Sequence, residues 1–226
     1  MSLAPTDYDF GDASNFFFAT TITCANDEAR AMYVEAYGHM LNYNHEQAIA
    51  CFTQCAELDP TCAMAYWGIA YCLSSSYNWA PGLGSGYDSI QLALANKDGC
   101  TELEIDLIDA LSLRHTKEAR DQMDPTVLNM GNTPELNAAF ATAMKPIYEK
   151  YAGNLDVASI YVEALMNLNP WQLWEKNTTT GEITPIDDNT LLLIKVIEDA
   201  FESSEEAKVH PALCHLYCHA LELSPY

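Results

Sequence analysis

The chain has 226 residues, with 32 Asp and Glu against 10 Lys and Arg, a formal charge of −22. Nucleic acid and anionic lipid both demand clustered cations, and none cluster here: residues 1–113 hold only Arg30 and Lys97. Hydrophobic residues at 49% and aromatics at 11% are ample for a core and argue against disorder.

The start, Met1-Ser-Leu-Ala-Pro-Thr-Asp7, is acidic and lacks the basic n-region of a secretory signal. No apolar run approaches the ~18 residues a membrane span needs. The eight cysteines sit mostly in apolar helical stretches, without Cys-x-x-Cys. They read as reduced thiols serving as small hydrophobes, rather than as a disulfide framework, and the expected compartment is the cytoplasm.

Residues 1–26 have no helical period and read as an arm, with Phe16, Phe17 and Phe18 plugged onto the first helices. From Asp27 apolar residues recur at i, i+3, i+4 and i+7. This predicts helices over 27–42, 45–58, 61–77, 86–97, 101–116, 134–151, 155–168, 188–203 and 209–223 in one domain, 27–226. Asn44 reads as an N-cap for the second helix, and Thr101 with Glu104 as a capping box. Asp59-Pro60 and Asn169-Pro170 end helices, while Pro134 and Pro211 fit first turns. A Gly-rich insertion over 80–86 and loops over 120–133 and 170–187 interrupt the pattern; strand-like alternation is nearly absent.

Ala48, Phe52, Cys55 and Pro60 fall at offsets 0, 4, 7 and 12, and Tyr66, Ile69 and Ala70 follow in the next helix. Leu213, Tyr217, Ala220 and Pro225 repeat those offsets. Small residues let two helices approach, large ones fill the hole opposite, and proline ends the pair. The pattern resembles the tetratricopeptide repeat, clearly over about 29–73 and more weakly over 134–168 and 208–226. The resemblance implies an all-α fold of antiparallel helix pairs stacked as a right-handed superhelix, an α-solenoid. Four stretches also look like a family of long tetratricopeptide proteins from bacteria and fungi. They are Tyr43-Asn-His-Glu-Gln-Ala48, Leu58-Asp-Pro60 through Ala70, Glu163-Ala-Leu-Met166 with Pro170-Trp171, and His215-Leu-Tyr-Cys-His219-Ala-Leu-Glu222. Members of that family continue past the helix that ends this sequence, so a piece of a longer protein and a short relative are both open. The resemblance implies no reaction.

The concave face of such a stack binds peptides, proteins or small ligands. Tyr33, Tyr37, Tyr66, Asn78 and Trp79 are candidates to line it, and an acidic groove would favour a basic partner. Trp171 and Trp174 would wall a pocket near the last helix. A rival reading is a metal-dependent enzyme or metal-binding protein. His215 and His219 share a helix face at i, i+4, Glu222 extends it, and His210 can reach over the first turn. Such a set suits zinc, copper or iron. It lacks the internal Glu of His-Glu-x-x-His, so a zinc peptidase is disfavoured. P-loop, dinucleotide-binding and nucleophile-elbow patterns are missing.

Overall fold

The computed structural model describes residues 21–74, 76–78, 86–121 and 134–225. The Phe16–Phe18 plug, Trp79, most of the Gly-rich insertion and most of the 120–133 loop lie outside the described residues. The described chain is all-α but for one small hairpin. Its helices are α1 (Asp27–Leu41), α2 (His45–Leu58), α3 (Ala63–Cys72), α4 (Tyr87–Asn96), α5 (Glu102–Ser112), α6 (Lys117–Asp121), α7 (Pro134–Lys150), α8 (Leu155–Met166), α9 (Asp188–Ser203) and α10 (Pro211–Leu221). None of the described helices is long and apolar enough to cross a membrane.

Local chemistry sets the boundaries. Asn26, Asn154 and Asp187 each accept a first-turn amide with the side chain, capping α1, α8 and α9. The Thr101–Glu104 capping box forms in full at α5, and Pro211 occupies the first position of α10. Asn44 departs from expectation. It stands at the N-cap position of α2 but makes no capping bond there. Its backbone, at φ −89° and ψ 66°, is not the extended conformation that aims a side chain at the free amides, and its Nδ2 lies 3.4 Å from His39 Nδ1.

Consecutive helices pack each on the next: α1 on α2, α2 on α3, α3 on α4, α7 on α8 and α8 on α9. Alternate helices also touch, α1 with α3, α3 with α5 and α8 with α10. Ala48, Phe52, Cys55 and Ala70 are all fully buried. Gly68 explains how α3 comes so near α2, for a Cβ there would stand 2.5 Å from the Phe52 ring.

Helix α8 is the centre of the structure: every residue from Asp156 to Met166 is buried. Only a helix apolar nearly all round can be enclosed in this way. Both of its acidic side chains face residues of the N-terminal half, and Asp156 also meets His210 before α10. Tyr71 on α3 donates its hydroxyl to Glu163 at 2.5 Å, and the Tyr37 hydroxyl on α1 faces Asp156. Arg114, also buried, donates to Asn137 Oδ1 at 3.0 Å, and Asn137 Nδ2 donates to the Asn167 carbonyl at 3.0 Å.

The 170–187 loop is more ordered than its sequence implies. Trp174–Lys176 pairs antiparallel with Ile183–Pro185 as strands β1 and β2, with Glu175 opposite Thr184. Asn177 Oδ1 accepts the amides of Thr179 and Thr180, and Gly181, at φ 76°, completes the turn.

Candidate functional site

Helix α10 presents His215 and His219 on one face, their rings 4.7 Å apart and edge-on. The His219 ring is held at both nitrogens. Nε2 lies 2.7 Å from Asn78 Nδ2, and Nδ1 lies 3.0 Å from Glu222 Oε2. With Asn78 as donor, Nε2 accepts and Nδ1–H donates to the carboxylate, as a neutral imidazole does. His215 stacks on Tyr43 with ring centroids 4.1 Å apart, and its buried Nε2 has no hydrogen-bond partner. Burial pushes the His215 imidazole below its ordinary pKa, and His219 adds to that against the opposing pull of Glu222.

Trp171 stacks on Tyr77 at 5.1 Å and meets His219 edge-on at 5.9 Å. Trp174 donates Nε1–H to the Ala220 carbonyl at 2.7 Å, which fastens the hairpin to α10. Together Tyr77, Trp171, Leu173, Trp174, His219, Glu222 and Leu223 line a cavity of about 350 Å³. A second cavity of about 570 Å³ is lined by Tyr43, Asn44, His45 and Asn78 among others. Asn78 joins the two, because it lines one and bonds the His219 that lines the other.

Backbone strain marks the same place. Among the described residues the non-glycine positions at positive φ are Tyr43, at 59°, and Trp171, at 61°. Bulky side chains rarely adopt this left-handed conformation, and strain of this kind gathers at functional sites. One of these residues stacks on His215 and the other packs on His219. Trp171 also remains 57% exposed, open to a ligand.

The structure therefore brings together His215, His219, Glu222, Asn78, Trp171 and Trp174. It separates the others. His210 is buried at the N-cap of α10, its Nε2 3.1 Å from Asp156 Oδ1 and its Nδ1 accepting the Leu213 amide. Both nitrogens are thereby engaged, and His210 does not join the expected metal set. Tyr33 and Tyr37 are fully buried and line no surface. Tyr66 donates to the Pro60 carbonyl at 3.2 Å, at the α2–α3 turn. Trp79 lies outside the described residues. Tyr43 and Tyr77 are members that sequence reasoning missed. Tyr43 sits between two asparagines in a two-helix turn, and Tyr77 immediately precedes Asn78.

Several Cys, His, Asp and Glu side chains are grouped closely enough to hold a metal ion. Among the described residues two such groups gather three ligand atoms within 4.8 Å of one another: Cys24, Asp59 and Cys62; and Glu35, His39 and Cys51. Neither includes a residue of α10, where Asn78 and Glu222 already occupy the His219 nitrogens.

No family model matches the chain, and no curated protein and no solved structure matches it significantly.

Proposed function

We propose that the protein is a tetratricopeptide-type binding module whose ligand site is the aromatic pocket beside α10. It takes a cationic side chain from a basic peptide or protein partner. The observation that carries this reading is the pocket's composition: the rings of Tyr77, Trp171 and Trp174, and the Glu222 carboxylate, with no Lys or Arg among the lining residues. Aromatic faces attract ammonium and guanidinium groups, by about 0.5–1 kcal/mol when exposed and about 2 when desolvated. Glu222, half open to solvent, supplies a counter-charge, and the −22 of the chain draws cations from a distance.

The helix-on-helix packing and the buried repeat positions support the tetratricopeptide reading. The ligand site is displaced from the expected groove, because Tyr37 is covered by the chain's own core. A metal-dependent enzyme built on His215 and His219 has less support, since His219 is already bonded at both nitrogens. A cytoplasmic setting agrees with eight free cysteines.

Titration with lysine-rich and arginine-rich peptides, followed by tryptophan fluorescence, tests the proposal. We expect saturable binding that weakens steeply with salt and falls about tenfold in Trp171→Ala, the loss of one cation–π contact. Equal affinity in wild type and a Trp171→Ala/Glu222→Gln double variant, or no binding to wild type, would overturn it.

A further inference from the structure

We propose that Cys24, Asp59 and Cys62 form a binding site for a zinc-class divalent cation, which clamps the segment before α1 onto the α2–α3 turn. The site is remote in sequence from α10 and stands on separate observations.

The three ligand atoms already lie within 4.8 Å of one another. Around a tetrahedral zinc, with bonds of about 2.0–2.3 Å, neighbouring ligand atoms sit roughly 3.3–3.8 Å apart. Small side-chain rotations close the difference. Two sulfurs and one carboxylate favour zinc or its transition-metal neighbours over magnesium and calcium, which prefer all-oxygen sets.

The carboxylate is held in advance. Asp59 Oδ1 accepts the Thr61 amide at 3.0 Å and the Thr61 hydroxyl at 2.6 Å, while Oδ2 accepts the Ala25 amide at 2.6 Å. Burial by itself would raise this carboxyl's pKa, but those bonds outweigh it and hold the group below the usual range. A carboxylate has about four lone-pair sites, so one remains for the thiol side of the cluster. Outer hydrogen bonds of this kind fix a ligand's orientation, and losing one lowers metal affinity about 10–100-fold.

The sulfurs are placed as well. Cys62 is buried at the N-cap position of α3, where free amides favour a thiolate. Cys55 Sγ lies 4.0 Å behind it, within reach as an S–H donor. Cys24 is half-buried, which leaves a way in. The Arg30 guanidinium holds the segment carrying Cys24 by bonds to the carbonyls of Ile22 at 2.5 Å and Cys24 at 3.2 Å. Without a cation, burial raises the Cys24 thiol to about 11, while the neighbouring Cys55 thiol and then burial lift Cys62. Binding therefore forms two metal–sulfur bonds and releases two thiol protons to solvent, so affinity rises with pH.

The test is titration of the reduced, untagged full chain with Co²⁺ alone. We expect a thiolate-to-cobalt charge-transfer band that saturates at one equivalent and is displaced by Zn²⁺. Cys24→Ala should abolish it, and Cys214→Ala/Cys218→Ala, on α10, should leave it intact. Cys62→Ser should also lose it, but that thiol is buried; Cys24→Ala, checked for unchanged helicity, keeps the result decisive. No band in folded protein, a band that survives Cys24→Ala, or one lost with the α10 pair would overturn the site.

Discussion

The Tyr71 hydroxyl on α3 donates to the Glu163 carboxylate on α8 at 2.5 Å, joining residues 92 apart in sequence inside the core. Burial pushes the Glu163 carboxyl up, while the Tyr71 bond, then His45 and Arg114, pull it back. Tyr71→Phe leaves a buried acid short of its donor, so we expect a loss of about 1–3 kcal/mol in urea unfolding. A change within about 0.5 kcal/mol, the range of a neutral surface substitution, would count against a bond made in solution.

The contact of Gly68 with Phe52 makes a second prediction. Gly68→Ala places a methyl 2.5 Å from the ring, so Phe52 or the whole helix must shift. Overpacking of this sort destabilises by about 1–3 kcal/mol. Adding Phe52→Leu should give back part of the loss, so the two substitutions should be strongly non-additive in a double-mutant cycle. Simple additivity would mean that the helices do not meet there.

Acid should weaken the fold partly through His215. Its folded pKa is lowered by burial, so below the ordinary value of 6.5 the unfolded chain takes up a proton that the folded chain resists. Stability from this group is whole above 6.5 and declines as pH falls from there toward the folded value. His39, also lowered by burial, adds a parallel share. His215→Gln should therefore flatten, without abolishing, the fall in thermal midpoint between neutral and mildly acidic pH. An unchanged slope would show that His215 titrates freely.

At Trp171 stability and binding should part company. Ala and Gly both remove the ring, but only Gly relaxes the φ of 61°. Trp171→Gly should be more stable than Trp171→Ala by about 1 kcal/mol, the left-handed penalty of an L side chain. Both should lose the peptide-induced fluorescence change equally. Equal stability would mean that the backbone relaxes when the ring is gone.

Helix positions were readable because apolar spacing and caps are local. The nine predicted spans coincide with α1–α5 and α7–α10, trimmed at some ends, as at α3, where 61–77 shrinks to Ala63–Cys72. The five-residue α6 is too short to show a period, and β1 with β2 are three residues each, too brief for alternation. At the candidate site, His215, His219 and Glu222 were visible as one helix face. Asn78, Trp171 and Trp174 stand in separate segments, and only folding brings them to α10. The placement of Tyr43 and Tyr77 depends on turns joining distant segments, which no local pattern encodes. In sequence His210 reads as a ligand because it stands five to twelve residues from His215, His219 and Glu222. Its side chain instead caps α10 and meets Asp156, since Pro211 starts the helix one residue later.

The enclosure of α8 has a consequence for how the chain comes apart. A one-dimensional stack frays from its ends, each unit leaning only on its neighbours. Here the Tyr71–Glu163 bond ties α3 to the enclosed α8, so the N-terminal helices do not peel away without opening the core. Amide hydrogens of Ile160–Leu165 should exchange only through global unfolding, at one rate shared with the buried amides of α3. The N-terminal helices and the centre are bound to rise and fall together.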